Sequence, residues 1–353
     1  MVSQHLLERG LHSPTHSNLF PRLLSFQPSH ISIDKSHQDT SNPKMSTTKQ
    51  QNSRALFSKH WRQEVDQMVS SGTHKGSKAL AKMVQDLVYN IAQRHNNHSN
   101  QAATLDVDLH DLWYTLIRAA SICDADSADQ DTLASYVIHT RELGSFTRGS
   151  TDKPGETYGN TEIPIQSKSQ GGFEDLQYLA SDLEEFWFNT SSTLSTLRRQ
   201  NLSAFTARLV ALGVEDKKLI PCGVDLLKQT LEVPRNPSQL VGDSKLSLED
   251  LLPAVMAWMS YARHKTLKLS MENHSLSQES TKPGSLAVGA GITANSLSLE
   301  RWGFWKLQLE GLQGTFGGML GSSVEQRVRS MEAAENELGV DVPGCAGPIA
   351  KVR

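Results

Sequence analysis

Apolar residues recur every three or four positions along most of the chain from residue 54 onward, which is the period of amphipathic helices. In the first such stretch, Phe57, Trp61, Val65 and Val69 share one face, and Gly72 follows as a helix stop. Similar stretches predict further helices that begin near residues 77, 108, 128, 173, 194, 222, 247, 298 and 322. Sustained alternation with a period of two, the mark of a half-buried β-strand, is missing from the sequence.

These stretches predict an all-α fold, an irregular array of about ten helices with antiparallel neighbours and no sheet. The best-defined helix start is at Ser247. Three positions later, Asp250 carries the acid that a capping box requires, because its side chain reaches back to the amide of the capping residue.

Polar stretches divide the chain into a domain and its extensions. We predict a disordered tail over 1–53, a single helical domain over 54–340 and a frayed end over 341–353. Within the domain, segments rich in Gly, Ser and Pro predict loop insertions at about 145–172, 233–246 and 273–296.

The tail permits three interpretations. It is poor in acids and rich in Ser and His, which is typical of a disordered segment. Arg9 and the leucines around it also fit a mitochondrial transit peptide loosely. In a third interpretation Met45 is the true start, because the residues after it resemble an ordinary cytosolic N-terminus.

Charge and cysteine content restrict the partners and the compartment. The formal net charge is −3 with a pI near 6.5, which gives no general electrostatic case for binding nucleic acid. There is no apolar run of the 18 residues or so that a membrane span needs. Three widely spaced cysteines cannot make a disulfide framework, so we expect a reducing compartment, the cytoplasm.

Five segments together resemble an uncharacterised, mainly fungal family of helical proteins that is known only as a domain of unknown function. They are LHDLWYTLIRAA, ADQDTLASYV, FEDLQYLASDLEEFW, LSAFTARLVALGV and LERWGFWKLQLEGL, and they lie between residues 109 and 312. The late E-R-W-x-F-W-K segment, Glu300 to Lys306, is the most specific of them. The resemblance implies an intracellular helical fold, and it implies no activity because the family has none assigned.

The same segment supplies the most unusual local cluster, Arg301, Trp302, Trp305 and Lys306. Because Trp302 and Trp305 are three residues apart, they share a helix face. In one interpretation they form a platform for a ligand or a partner, with ring faces beside cations. In the other they belong to the core, and the two cations cap or extend toward water.

Other candidate motifs are incomplete, so we predict no catalytic residue, cofactor or metal. Four aspartates between 124 and 131 fail the calcium-loop pattern, and His95 and His98 lack a third zinc ligand. The G-x-G-x-x-A match at 289–294 lacks the strand that a dinucleotide site needs before it. Cys222 follows Pro221, where a helix N-terminus would activate a thiol, but a small buried thiol explains it equally.

Two hypotheses about function remain. The first is an intracellular helical protein, without enzymatic activity, that acts through contacts with protein partners. The alternative is a small-molecule enzyme or binder with an aromatic-lined pocket between helices, and Arg301, His264 or Cys222 would be its polar groups. An enclosed cavity with converging polar groups favours the alternative, whereas a filled core with an open apolar patch favours the first.

Overall fold

The structure, a computed structural model, describes residues 43–71, 74–96, 102–144, 147–148, 163–164, 173–235 and 246–343. The described residues from Lys44 onward form one compact unit. The described residues contain twelve α-helices, which are α1 (Pro43–Ser71), α2 (His74–Asn96), α3 (Ala102–Ile122), α4 (Ala128–Glu142), α5 (Leu179–Thr190), α6 (Thr196–Ala211), α7 (Asp216–Leu227), α8 (Leu248–Tyr261), α9 (Arg263–Met271), α10 (Ser285–Gly289), α11 (Leu299–Gly311) and α12 (Gly318–Leu338).

The all-α prediction is confirmed. Extended structure in the described part of the chain amounts to β1 (Thr147–Arg148) and β2 (Ile163–Pro164), an antiparallel pair of two residues each. This pair lies in the predicted insertion at 145–172, most of which falls outside the described residues. None of the described helices is both long enough and apolar enough to cross a membrane.

Helix α6 is the centre of the core. Every residue from Asn201 to Val210 is buried, and α8, α3, α7 and α4 all pack against it. A helix that is enclosed on all sides cannot show a clear apolar stripe, which is why its polar residues are also buried. They are bonded internally: Ser203, for example, donates to the carbonyl of Ala254 on α8 at 2.7 Å.

Several helix starts differ from the sequence-based predictions, among them α1 at Pro43 rather than near 54 and α3 at Ala102 rather than near 108. Helix α5 begins at Leu179 rather than near 173, because Leu176 and Tyr178 adopt left-handed backbone angles that interrupt a helix. The prediction that a helix follows Pro221 was wrong, since α7 begins at Asp216 and passes through that proline. The capping box at Ser247 and Asp250 is confirmed.

The chain leaves α7 through one turn of π-helix, Lys228–Glu232, before it becomes extended at Val233. A π-turn widens the helix and shifts the direction of the side chains after it. Its last residue, Glu232, has no exposed surface and points into the core. The π-turn therefore directs the Glu232 carboxylate into the core, whereas an uninterrupted α-helix would direct it differently.

The segment 273–296, which the sequence predicts to be a loop insertion, is ordered and packed. It contains a turn of 3-10 helix at Glu279–Thr281, the short helix α10 and a bridge between Ser275 and Ser296. Thr281 and Ala287 are fully buried. The Ser- and Gly-rich composition therefore reflects tight turns against the core.

Helix α1 is attached to α3 largely through polar side chains. Ser58 and Arg62 both bond Asp111, at 2.6 and 2.9 Å. One turn further along, Asp66 accepts from the Tyr114 hydroxyl at 2.7 Å. Through Arg62, α1 forms one wall of a cleft over α3.

Candidate functional site

Arg301, which the sequence singles out, lies fully buried on α11 and pairs with Glu232. Its Nε donates to one carboxylate oxygen at 2.7 Å and its Nη2 to the other at 3.1 Å. The remaining bonds of the guanidinium go to the carbonyls of Thr281 and Ser296. The segment 273–296 thus closes over this arginine.

Glu232 receives two further hydrogen bonds. Trp305 donates its ring N–H at 2.7 Å, and the backbone N–H of Gly284 donates at 2.7 Å. We call Glu232, Gly284, Arg301 and Trp305 the buried ion-pair cluster. Every partner in it comes from the protein, so the cluster needs no ligand to satisfy its charges.

The other two residues of the predicted platform attach α11 to α12. Trp302 donates its ring N–H to Glu335 at 2.7 Å, and the Lys306 ammonium binds the second oxygen of the same carboxylate at 2.6 Å. Trp302 has no exposed surface, and about a fifth of the Lys306 side chain is exposed. The geometry gives all four residues a structural use, and their role in binding a partner stays a prediction.

A different part of the molecule offers an open polar cleft. It lies between α1, α3 and α5 and has a volume of about 450 Å³, which is within the usual range for small-molecule sites. Its lining combines charged and polar side chains with an aromatic and aliphatic floor: Arg62, His110, Tyr114, Ile117, Asp182, Glu185, Phe186, Asn189 and Thr190. We call it the His110 cleft.

His110 and Asp182 form its central pair. The imidazole Nδ1 lies 2.8 and 3.0 Å from the two carboxylate oxygens of Asp182. A carboxylate at Nδ1 fixes that nitrogen as the proton-bearing one, so Nε2 is the basic nitrogen of the neutral ring. The hydrogen bond to Asp182 raises the pKa of His110 above its ordinary 6.5, against the opposing effect of burial.

Tyr178 holds the imidazole from its flat side. The two rings are stacked at 4.2 Å between centroids, with 24° between their planes. Tyr178 has a φ of 67°, a left-handed conformation that is uncommon for a bulky residue. Backbone strain of this kind persists where the surrounding structure imposes it, and it clusters at functional sites.

On the side of the cleft that faces α1, Tyr114 of α3 contacts residues of that helix. Burial, together with the hydrogen bond to Asp66, raises the pKa of Tyr114 to about 12. Arg118 also binds Asp66, at 2.6 Å, and the Arg62 guanidinium lies 5.0 Å from the Tyr114 ring centre. Tyr114 therefore remains a phenol at neutral pH and contributes a ring surface to the cleft.

Sequence reasoning missed this cleft. His110 lies inside LHDLWYTLIRAA, whose apolar stripe predicts only a helix and its core face. Asp182 is 72 residues away on another helix. One signal was present: His110 and Tyr114 are four apart on the polar side of α3, so they share a helix face. The pairing with α5 depends on tertiary packing.

Other residues considered from the sequence lie in ordinary surroundings. Cys222 is completely buried within α7, and burial raises its pKa well above 9.0, which keeps the thiol protonated. His264 pairs with Glu337 at 2.7 Å on the surface. Asp131 binds Arg208 and Asp126 accepts from Tyr261. The side chains of His95 and His98 lie outside the described residues.

Residues 113–309, more than half of the chain, match the model of the family described as "Protein of unknown function (DUF3632)". The chain belongs to this family, as the resemblance in the sequence implied. The matched stretch includes α5 with Asp182, the π-turn with Glu232, and Arg301, whereas His110 lies just before it.

Among curated proteins the chain is similar to the "Oxopyrrolidines biosynthesis cluster protein G" of Penicillium oxalicum, with 24% identity over 177 residues. The aligned part covers 47% of this chain and 47% of the relative, so the chain spans about half the length of the curated relative. No solved structure matches the chain significantly.

Proposed function

We propose that the His110 cleft binds a small organic molecule and that His110 exchanges a proton with it. The observation that carries this proposal is the Asp182-oriented imidazole in a cleft of about 450 Å³. A positioned base works best when its pKa lies near the working pH, and the hydrogen bond to Asp182 raises the pKa of His110 above its ordinary 6.5. The relative's place in a biosynthesis cluster is compatible with small-molecule chemistry.

The lining defines the class of molecule. Phe186, Ile117 and the ring of Tyr114 supply flat apolar contacts, while Glu185 and Asn189 offer polar groups at the rim. Such a mixture suits a compact, ring-containing molecule with one polar or weakly acidic position. In the neutral imidazole Nε2 accepts a proton from that position, and in the imidazolium it donates one.

Nitrobenzisoxazole is a suitable probe because it reports proton removal directly. A base takes the proton from the ring carbon, the ring N–O bond breaks, and a coloured nitrophenolate bearing a nitrile is released. A positioned base contributes roughly 100-fold or more to proton transfer, so we expect His110→Gln to lower the rate by about that factor. Phe186→Ala should mainly raise KM, since the ring contributes binding surface.

His264 provides the matched control. It also pairs with a carboxylate at 2.7 Å, and its side chain is about as exposed as that of His110, but neither His264 nor Glu337 lines the described pockets. We expect His264→Gln to react like the unmodified protein. Equal rates for His110→Gln and the unmodified protein, or an equal loss in His264→Gln, would contradict the proposal.

A second candidate is the role through protein contacts that the sequence favoured. It is supported by large apolar side chains that α1 leaves exposed, namely Leu56 and Phe57, at 70% and 50%. If a partner covers them, Leu56→Ser/Phe57→Ser should abolish stoichiometric co-purification of a protein from the native cell.

The two described cysteines are free thiols, which fits the cytoplasmic location expected from the sequence.

A further inference from the structure

A second cavity, separate from the His110 cleft, lies between α4 and α6. It has a volume of about 630 Å³ and ends against Tyr261. Ala134, Ile138, Ala211 and Leu212 form its apolar surface, and more than half of Leu212 is exposed. We call it the Arg208 groove, because a buried arginine lies in its wall.

Arg208 is fixed from several directions although only 6% of it is exposed. Its Nε donates to Asp131 at 2.7 Å and its Nη1 to the carbonyl of Ala204 at 3.3 Å. The guanidinium carbon lies 3.6 Å from the centre of the Tyr261 ring. A guanidinium has five N–H donors, so these two bonds do not use all of them.

The partner of Arg208 is held much less firmly. The Asp131 side chain is 71% exposed, so water screens its attraction for the cation. An oxyanion that enters the groove can bind the same guanidinium beside Asp131 or in its place. Carboxylates suit this position because arginine binds their two oxygens in a planar, bidentate arrangement.

The end of the groove away from Asp131 restricts the charge that the rest of the ligand can carry. Glu142 lines it eleven residues beyond Asp131, which is roughly 16 Å along the helix axis. A second negative charge at that end would meet this carboxylate, whereas an apolar tail would lie against Ile138 and Leu212. We propose that the Arg208 groove binds an organic monocarboxylate with an apolar chain.

The test compares octanoate with octanamide, which keeps the chain and removes the charge, by calorimetric titration of the full chain. We expect octanoate to bind at least 10-fold more tightly, and Arg208→Gln to remove that preference. Asp131→Asn is the safer variant because the residue is exposed, and it should tighten octanoate severalfold by removing the competing carboxylate. Leu212→Ser should weaken both ligands alike.

His110→Gln serves as the control for location and should leave octanoate binding unchanged. Methyl resonances of Ile138 should shift on titration, which places the ligand in the groove even if Arg208→Gln unfolds. Equal affinity for octanoate and octanamide would overturn the proposal, and so would the absence of binding or an Asp131→Asn variant that binds no more tightly. None of these results depends on the chemistry proposed for the His110 cleft.

Discussion

The buried ion-pair cluster and the His110 cleft use similar groups in opposite ways. Each centres on a carboxylate and a nitrogen base with an aromatic ring beside them. In the cluster, Glu232 and Arg301 have no exposed surface, and protein groups occupy both sides of the pair. In the cleft, 39% of the His110 side chain and 16% of Asp182 remain exposed.

This difference is the physical basis for placing the proposed proton exchange in the cleft and not in the cluster. A buried charged pair is stable when neighbouring donors and acceptors complete it, and any ligand would have to displace them. A half-exposed pair loses little by exchanging water for a ligand, and its proton can move. The cluster that stands out in the sequence is thus internally paired, whereas His110 faces open space.

The largest effect is expected from removing Arg301, the cation of the buried ion-pair cluster. Arg301→Met leaves Glu232 as a buried carboxylate without its cation, which we expect to cost about 3–5 kcal/mol of unfolding free energy in urea denaturation. The matched control is Arg329→Met, which removes an exposed ion pair with Glu325 and should change stability by no more than about 0.5 kcal/mol. A cost for Arg301→Met as small as that of the control would show that the cluster does not hold α11 in place.

Gly284 tests the same cluster through its backbone. A Cβ at this position would lie 2.5 Å from the carbonyl oxygen of Glu232, so Gly284→Ala must move one of the two segments. We expect a loss of about 1–3 kcal/mol, the usual cost of overpacking, measured by thermal and urea unfolding. Gly289, the last residue of α10, serves as the control: a Cβ there meets no atom within 4 Å, so Gly289→Ala should be nearly neutral.

Most of the helices were predictable from the sequence because they reflect a local period. The stripe through Leu109, Leu112 and Leu116 lies in the core, and the capping box at Ser247 has the geometry its spacing predicts. The composition of the segment 273–296 predicts a loop insertion but not its packing, because Ser and Gly favour both open loops and tight turns. Its order comes from distant groups, chiefly Arg301 and Glu232.

The candidate site could not be predicted in the same way. Arg301 and Trp305 stand out in the sequence, but their meaning depends on Glu232, whose direction is set by a π-turn that no periodicity indicates. His110 and Asp182 each look like polar residues on the outer side of a helix. Their pairing needs the relative position of α3 and α5, which is a product of packing.

Asp225 is a third case, a mostly buried carboxyl for which the described residues provide no ion pair. Burial raises its pKa from 3.8 to about 6, so between these values the folded state binds a proton that the unfolded chain has released. Unfolding free energy therefore falls as the pH rises through this window. Asp225→Asn should be more stable than the unmodified protein at pH 7, by about 1–3 kcal/mol.

The pH dependence separates this effect from a simple packing change. At about pH 3 the Asp225 carboxyl is largely neutral in both the folded and the unfolded state, so urea midpoints for Asp225→Asn and the unmodified protein should nearly coincide. A constant difference at all pH values would mean that the hydrogen bond from Gln229, rather than the charge, dominates.

The smallest effect on stability is expected at the His110 cleft itself. Asp182→Asn removes the carboxylate that raises the pKa of His110, so the imidazole should titrate at lower pH in NMR experiments. The raised pKa stabilises the fold below the unfolded value and loses this contribution as the pH rises through the folded pKa. Because the pair is half-exposed, the loss at pH 5 should stay below about 1 kcal/mol.

Glu185 is the matched control for that titration, since it lines the same cleft and does not contact the imidazole nitrogen. Glu185→Gln should leave the His110 titration where it is, whereas Tyr178→Leu should alter it by removing the stacked ring. An unchanged titration in Asp182→Asn would mean that the carboxylate does not orient the imidazole in solution. The contrast with the buried ion-pair cluster would then rest on exposure alone, and proton transfer in the cleft would lose its physical basis.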